Sequence, residues 1–369
     1  MTDHYMGNPN VKGDGVTQPW TEHDVREYAK CLHDPSYFAR TYVKIISLDK
    51  GLVNFNLYDY QEKMFKHFEN ERFSIVLACR QSGKSISSVV YLLWYAIFHP
   101  EKTIAVLANK GATAREMLSR VTLALENLPF FLQPGCRALN KGSIEFSNNS
   151  RIIASATSGS SIRGMSVNLL FLDEFAFVER AAEFYTSTYP VVSAGKDTKV
   201  IITSTANGIG NQFHKIWEGA VQKTNEYKPF TVNWWDVPGR DDKWKRETIG
   251  NTSQLQFDQE FGNTFFGTGD TLIGAETLLN FRASPPKRII ENGSVRIYED
   301  TQPKHDYIIC VDVAKGRGLD YSTFSVIDVT VRPFKQVAVF RNNRISPILF
   351  PDIIYKFAKS YNEAYVIVE

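Results

Sequence analysis

The stretch ACRQSGKS, residues 78–85, has the residue types that bind a chain of phosphates. A phosphate loop follows the pattern G-x-x-x-x-G-K-[ST], and here Ala78 stands in place of the first glycine. Gly83 lets the backbone approach an anion, Lys84 can reach the β- and γ-phosphates, and Ser85 can ligate Mg²⁺. The alternative is an ordinary strand–turn–helix junction in which GKS occurs by chance.

A pair of acids follows an apolar segment further along the chain. NLLFLDE (168–174) ends in Asp173 and Glu174. An Asp at such a strand end can hold Mg²⁺, and an adjacent Glu can polarise the attacking water. Acids at the exit of a buried strand are costly without cationic partners. A helix-capping pair is the alternative, but beside a phosphate loop the two acids favour hydrolysis over nucleotide binding alone.

Weaker signals fit the same nucleotide site. The side-chain amide of Gln61 could read an adenine edge, although a solvent-facing helix glutamine is nearly as good an interpretation. The strand KVIITST (199–205) ends in hydroxyls that could sense the γ-phosphate and relay its loss, the alternative being a plain polar strand end. These coupling residues are Thr203, Ser204 and Thr205.

Two arginines are candidates for an arginine finger. Phosphoryl transfer spreads negative charge, which a planar cation stabilises. Arg80 lies inside the loop and Arg163 lies in SIRGMS, and either could instead be a surface arginine. The sequence does not choose between them. The predicted ATP-binding residues are Gln61, Arg80, Gln81, Ser82, Gly83, Lys84 and Ser85.

Alternating strands and helices position these residues. Short apolar runs separated by helices predict an α/β fold with a parallel sheet covered on both faces. The predicted strands are 73–79, 103–109, 168–174 and 199–205, the helices are 84–98 and 111–127, and a hairpin spans 143–155.

A second α/β pattern begins further along the chain. Residues 282–305, which contain RASPPKR, predict a linker region. The linker is followed by strands at 307–313, 322–329 and 336–342, by a helix at 347–361 and by the strand AYVIVE (364–369). This order resembles the opening half of an RNase H-like fold. The predicted domains are a flexible arm at 1–20, a first domain at 21–281 with a helical lead-in (21–72) and a core (73–235), the linker, and 306–369.

Composition excludes some classes of protein. Of the 369 residues, 43% are hydrophobic, which is typical of a folded globular chain. The net charge of +2 predicts no general basic field for nucleic acid. Four scattered cysteines favour reduced thiols over disulfides or a zinc site. A polar N-terminal segment without a signal-peptide pattern, and the lack of a long apolar run, predict a soluble intracellular protein that does not enter a membrane.

Several motifs together resemble one protein family. They resemble motifs of the large terminase subunit of tailed phages, above all of its T-even-like myovirus form. These motifs are YQ before the loop, CRQSGKS, LPFFLQPG, NKGSIEF, IRG, LLFLDEFAF and IITSTANG. The resemblance implies a packaging ATPase joined to a nuclease that uses ATP with Mg²⁺. It also implies a motor that pumps double-stranded DNA into a prohead in the host cytoplasm. Its expected partners are the portal protein, the small terminase subunit and further copies of itself.

The resemblance also gives the second pattern a function. It implies a nuclease site in which Asp312, Asp320 and Glu369 hold Mg²⁺ or Mn²⁺, with Asp312 and Glu369 catalytic, because acids at adjacent strand ends can share two metals. Lys315 and Arg317 could contact a phosphodiester. The family uses a further acid downstream, so the sequence predicts that this nuclease domain is incomplete and that the chain is truncated.

Two other functions remain open at this stage. One is a helicase-type DNA translocase with the same nucleotide core, although further helicase signatures are not evident. The other is a docking subunit that binds ATP without hydrolysing it, against which Glu174 argues. Strand-separation and phosphate-release assays distinguish these functions from a packaging motor.

Overall fold

The structure, a computed structural model, describes residues 3–47, 49–157, 162, 164–193, 195–266, 284–318 and 320–369. The chain divides into two compact units, which separate between Ala275 and Glu276. Each unit is an α/β structure with its own sheet and its own hydrophobic core.

Strands and helices alternate through most of the first unit. Its strands are β1 (His4–Tyr5), β2 (Asn8–Lys12), β3 (Lys44–Ser47), β4 (Gly51–Asn54), β5 (Phe73–Ala78), β6 (Thr103–Ala108), β7 (Cys136–Leu139), β8 (Ser143–Phe146), β9 (Arg151–Ala156), β10 (Leu169–Asp173), β11 (Lys199–Ser204) and β12 (Lys228–Val232). Its helices are α1 (Glu22–His33), α2 (Pro35–Tyr42), α3 (Asp59–Asn70), α4 (Lys84–Phe98), α5 (Gly111–Glu126), α6 (Ala181–Ser193), α7 (Gln212–Val221), α8 (Asp242–Asn251) and α9 (Gln254–Glu260).

The main sheet of this unit has eight strands in the order β12-β5-β11-β10-β6-β9-β8-β7. The strands from β12 to β9 are parallel, and β8 and β7 extend the sheet antiparallel. All of β5 is buried, with Ile75 and Leu77 in one core cluster and Val76 and Ala78 in another. Successive side chains of a strand point to opposite faces, so both faces of this sheet are covered. The predicted parallel sheet and hairpin are confirmed.

The start of the chain differs from expectation. The predicted flexible arm at 1–20 is wrong for residues 4–12, because β1 and β2 pair as an antiparallel hairpin. Val11 is only 1% exposed. The backbone N–H of Lys12 donates to Gln133 Oε1 at 2.9 Å, and Gln133 Nε2 donates to the carbonyl of Asn10 at 3.0 Å. A buried apolar side chain and a buried amide therefore hold this segment against the domain.

The second unit is built on a six-stranded sheet in the order β13-β14-β17-β16-β15-β18. Its elements are β13 (Arg288–Ile290), β14 (Val295–Ile297), β15 (Tyr307–Asp312), β16 (Ser322–Asp328), β17 (Lys335–Asn342), α10 (Phe350–Ser360) and β18 (Tyr365–Val368). Phe350, Ile354 and Phe357 of α10 join the core of this sheet. The strands and the helix predicted for 307–369 are confirmed.

The predicted linker at 282–305 needs a correction. Within it, β13 pairs with β14, and β14 pairs with β17. Val295 is fully buried, so residues 288–297 belong to the sheet of the second unit. In the described part of the chain, none of the helices is long and apolar enough to cross a membrane.

Candidate functional site

The parallel strands bring the predicted nucleotide residues to one edge of the first sheet. β5 and β10 both pair with β11, and in that register Asp173 lies opposite Thr203. The carboxyl ends of parallel strands meet at the same edge, where open α/β sheets bind their ligands. The loop after β5 and the acids at the end of β10 therefore face the same space.

The loop itself has a shape that suits an anion. Gly83 has φ +75° and caps α4, a backbone conformation that strains residues with a Cβ, and a Cβ there would lie 2.9 Å from Gln61 Nε2. The hydroxyl of Ser82 is buried, and it has no hydrogen-bond partner among the described residues. A buried polar atom without a partner is unusual, and a phosphate oxygen bound at the loop would give this hydroxyl a partner. The loop therefore fits a bound phosphate group.

The charged side chains meet as the motifs predict. Lys84 Nζ lies 2.8 Å from Glu174 Oε1, and the lysine side chain is only 7% exposed. The Ser85 hydroxyl donates to Asp173 Oδ2 at 3.3 Å. Thr203 donates to the other oxygen of Asp173 at 2.8 Å. Asp173 therefore has a hydroxyl on each oxygen, and Glu174 has a cation.

Burial sets the electrostatics of this acid pair. Asp173 is 3% exposed, and burial raises the pKa of its carboxyl above the ordinary value. The neighbouring charge of Glu174 raises this pKa further, while Lys84 and the Thr203 hydroxyl act in the opposite direction. A second cation or a metal ion would offset the cost of the buried negative charge.

Glu174 lies in a conformation that few residues other than glycine adopt. Its φ of 49° and ψ of 45° are left-handed, at the turn between β10 and a short 3₁₀ helix. The Ser204 hydroxyl and the Thr205 N–H both donate to Glu174 Oε2, each at 3.4 Å. Backbone strain of this kind is concentrated at functional sites. The predicted coupling strand thus contacts the predicted catalytic acid directly.

A cavity of about 990 Å³ opens over this edge of the sheet. Its lining includes Arg80, Ser82, Lys84, Ser85, Glu174 and Thr205. The α5 residues Glu116 and Arg120 line it as well and pair with each other at 3.3 Å. The volume lies at the upper end of the range for small-molecule sites.

The structure shows where Gln61 and Arg80, two further predicted residues of the nucleotide site, lie. Gln61 is 2% exposed, so the solvent-facing alternative is wrong; its Oε1 accepts from the Tyr58 N–H at 2.9 Å. The role of Gln61 at adenine stays a prediction. Arg80 lines the cavity, and its guanidinium pairs with Glu260 at 3.0 Å while staying 61% exposed. Arg163 lies outside the described residues.

Two contacts at the loop were not predicted from the sequence. Glu260 and Arg240 both reach the loop from the segment after β12. Arg240 follows a glycine in the turn VPGR, and Glu260 ends α9. No local pattern marks either residue, because each acts through a partner that is far away in the sequence.

The acids of the second unit come together only as a pair. Val311 lies opposite Val368 in the parallel pairing of β15 and β18, and the Glu369 N–H donates to the Val311 carbonyl at 3.0 Å. Glu369 therefore lies beside Asp312, and both are exposed. Over the described ranges, no group of three or more His, Cys, Asp or Glu is arranged to hold a metal. The structure thus does not bring Asp320 into one cluster with this pair.

The phosphate loop, the acid pair and the parallel sheet define the first unit as a P-loop nucleotide-binding α/β domain. The chain belongs to the large terminase subunit family. It matches the family described as "Terminase large subunit, T4likevirus-type, N-terminal" over residues 75–279. Residues 309–369 match the family described as "Terminase RNaseH-like domain".

Individual relatives and solved structures are similar to this chain. The terminase large subunits of Thermus virus P23-45 and Thermus phage G20c are each 25% identical over 232 residues, 58% of this chain and 45% of the relative. The chain thus spans about half the length of these curated relatives. Among solved structures, the HK97 bacteriophage large terminase aligns with 92% of this chain and 74% of its own, at a TM-score of 0.56 and 14% identity. The ATPase domain of the Thermus phage P74-26 large terminase aligns with 57% of this chain and 94% of its own, at a TM-score of 0.48 and 20% identity.

Proposed function

We propose that this chain is the ATP-hydrolysing motor subunit that moves viral double-stranded DNA into a prohead. In this proposal it works in the host cytoplasm as a homo-oligomer on the portal protein and together with the small terminase subunit. Family membership supports the biological setting. The observation that carries the chemistry is the contact of Lys84 with Glu174 at 2.8 Å, in a loop where Ser82 and Lys84 are buried.

The residues around the loop can each be given a role in hydrolysis. Lys84 binds the β- and γ-phosphates, and its move toward them releases Glu174 from the ion pair. The freed carboxylate then accepts a hydrogen bond from water and orients it for attack. Thr205 and Ser204, which contact Glu174, sense this change at the end of β11. The site thus links the state of the phosphate to a strand of the central sheet.

The donor set at the loop fits Mg²⁺. The Ser85 hydroxyl and the Asp173 carboxylate, 3.3 Å apart, are oxygen donors of the kind that this ion prefers, and they would hold it. When bound, Mg²⁺ neutralises charge that develops on the phosphates. Thr203 keeps Asp173 oriented from the other side, at 2.8 Å.

We also propose that the second unit is the endonuclease part of the motor, in which Asp312 and Glu369 contribute to DNA cleavage. Its match to the RNase H-like terminase domain supports this role. The described acids do not fit a two-metal site, because they form a pair and not a larger group. Asp320, Lys315 and Arg317 remain candidates for contacts with the DNA or with a metal ion.

Phosphate release from ATP by the purified protein, with and without double-stranded DNA, tests the proposal. Glu174→Gln should retain Mg-ATP binding and lose turnover by a factor on the order of 10² or more, because the neutral amide cannot act as a base. Lys84→Ala should weaken Mg-ATP binding and should also lower turnover. Glu116→Gln, which changes another acid that lines the cavity, should keep near-normal turnover.

Three results would contradict the proposal in different ways. Near-normal phosphate release by the Glu174→Gln variant removes this residue from its role. A wild-type protein that binds ATP without hydrolysing it indicates a docking subunit. Unwinding of a forked duplex, without packaging of DNA into proheads, indicates a helicase-type translocase.

A further inference from the structure

The segment after β12 holds the phosphate loop in place. We call residues 233–263 the flanking segment. The Cys79 N–H donates to the Val232 carbonyl at 3.0 Å, as a continuation of the β5–β12 pairing. The next residue, Arg80, donates its N–H to the Glu260 carbonyl at 2.7 Å. Cys79 and Arg80 are therefore held by Val232, which directly precedes the flanking segment, and by Glu260, near the end of that segment.

The third contact comes from a side chain in the middle of this segment. Arg240 Nη2 donates to the Gln81 carbonyl at 3.0 Å, and Nη1 contacts Cys79 Sγ at 3.4 Å. The guanidinium carbon lies 4.7 Å from the Trp244 ring centre and 5.4 Å from that of Phe261. Aromatic faces attract a guanidinium and fix its plane. Arg240 thus reaches the loop as an oriented fork with two donors.

The carbonyl that Arg240 holds belongs to a residue in an unfavourable conformation. Gln81 has φ +55°, in the left-handed region that residues with a Cβ rarely adopt. Such a conformation persists only when surrounding contacts impose it. Arg240 does not line the cavity, whereas Gln81, Ser82 and Lys84 do. The described contacts of the arginine therefore reach the phosphate site through the loop, at the Gln81 carbonyl and at Cys79.

We propose that Arg240 is a positioning residue of the ATP site. It fixes the Gln81 carbonyl and so keeps the loop in the shape that leaves the Ser82 hydroxyl and Lys84 available to phosphates. This inference rests on the proposed nucleotide-binding function and goes beyond the loop motif. Without the guanidinium, the loop relaxes out of the left-handed conformation at Gln81 and must be reordered each time a nucleotide binds.

Substitutions at Arg240 test the inference in the full chain. Arg240→Met keeps an unbranched stem against the aromatic rings and removes both donors. It should raise the KM for ATP and the Kd for ADP about tenfold, as expected for the loss of a hydrogen bond from a charged group. Because the described contacts of Glu174, which is proposed to orient the attacking water, do not include Arg240, kcat should change by less than about threefold. Arg240→Lys keeps a cation and should recover part of the loss.

The same aromatic cluster offers a matched control. Lys245 lies on α8, with its ammonium 5.7 Å from the Trp234 ring centre and 5.6 Å from that of Phe257. Lys245→Met removes a cation from this cluster without a contact to the loop, and it should leave KM and Kd within about twofold of wild type, the scale of a surface substitution. Circular dichroism and the thermal midpoint show that each variant is folded.

The possible outcomes separate the inference from the function on which it rests. Equal KM values for Arg240→Met and Lys245→Met, or a loss in kcat with KM unchanged, overturn the positioning role. If Arg240→Met does not fold, Arg240→Lys decides: a raised Kd for ADP in a folded protein supports the role, and an unchanged Kd overturns it. Wild-type protein that binds neither ADP nor ATP overturns the proposed function itself, and this inference with it.

Discussion

Each unit has a pair of acids at the carboxyl ends of its parallel strands. The pair is Asp173 and Glu174 in the first unit, and Asp312 and Glu369 in the second. The two pairs differ in how deeply they are buried and in the partners that contact them. The first pair has hydroxyl donors and a lysine at 2.8 Å, and Asp173 is 3% exposed. The second pair is exposed, and neither of its side chains has a hydrogen-bond or ion-pair partner within the described ranges.

This difference shows that a position at a strand end brings acids together but does not fix the orientation of their side chains. Topology brings acids to one edge of a sheet in both units. In the first unit the cost of burying Asp173 is partly offset by Ser85, Thr203 and Lys84, which hold the acid pair in one geometry. In the second unit water solvates the carboxylates, so nothing in the described structure fixes their orientation. A preorganised site needs those partners as well as the topology.

The largest effect on turnover is expected at Arg80. This exposed side chain pairs with Glu260 at 3.0 Å, a weak pair that the arginine can leave to enter the cavity. If Arg80 acts in cis, Arg80→Ala should reduce turnover on the order of 10³ or more at every protein concentration. Glu260→Gln, which removes only the partner, should keep turnover near the wild-type value. Phosphate-release assays across protein concentrations measure both.

The competing model places the arginine finger on another subunit. If Arg163 acts in trans, turnover should rise as subunits assemble, and mixing Arg163→Ala with Glu174→Gln subunits should restore part of the activity. Turnover that is independent of concentration and survives Arg163→Ala excludes this model. Full activity of the Arg80→Ala variant would instead remove Arg80 from catalysis.

A smaller effect is expected at the exposed pair. Two-metal cleavage needs enough acids to hold both ions, and among the described residues no third potential ligand joins Asp312 and Glu369 in a metal-binding group. We therefore expect the 369-residue chain to cut plasmid DNA poorly with Mg²⁺ or Mn²⁺. Asp312→Asn should lower any residual cutting at least about tenfold, the size of effect seen when metal ligation is impaired. Its ATP turnover should not change. Rapid, Asp312-dependent cleavage would show that two solvated carboxylates are enough.

The smallest effect concerns stability, and it compares the two aspartates directly. Burial raises the pKa of Asp173, so the folded state loses stability as pH rises from the ordinary Asp pKa of about 3.9 through the raised one. Asp173→Asn should therefore unfold at a higher temperature than wild type at pH 7 without nucleotide or metal. This advantage should shrink as the pH is lowered toward 4. Thermal midpoints between pH 4 and 8, in a chelating buffer, measure it.

Asp312→Asn is the control for that experiment, because an exposed aspartate makes little difference to the free energy of unfolding. Its midpoint should follow that of wild type across the same pH range. A lower midpoint for Asp173→Asn at pH 7 would mean that Lys84 and the hydroxyls more than offset the cost of burial. The first site would then be a source of stability.

Much of the first site could be predicted because its signals are local. The strand FSIVLA and the helix that begins at Lys84 were found from apolar runs and from GKS, and their bounds agree closely with the structure. The parallel order of the strands follows from the alternation of strands with helices. Asp173 and Glu174 then had to reach the same edge as the loop.

The features that were not predicted depend on partners far away in sequence. Residues 4–12 look polar and flexible until Gln133 is placed beside them. Residues 288–297 look like a linker because β13 and β14 are short, and β14 is a strand only through its pairing with β17. Arg240 has no motif of its own, and its role depends on the shape of the loop at Gln81. Local patterns cannot contain such information.

The left-handed backbone at Glu174 has a consequence for how this protein responds to selection in the laboratory. A residue with a Cβ in this conformation costs roughly 1 kcal/mol or more, which glycine avoids and asparagine reduces. A library screened only for heat resistance should therefore enrich Gly or Asn at position 174 together with a neutral residue at position 84, because a buried Lys84 without its ion-pair partner would cost more than the strain. The same library screened for phosphate release should retain Glu. The residue found at position 174 would then show whether a population was selected for heat resistance or for phosphate release.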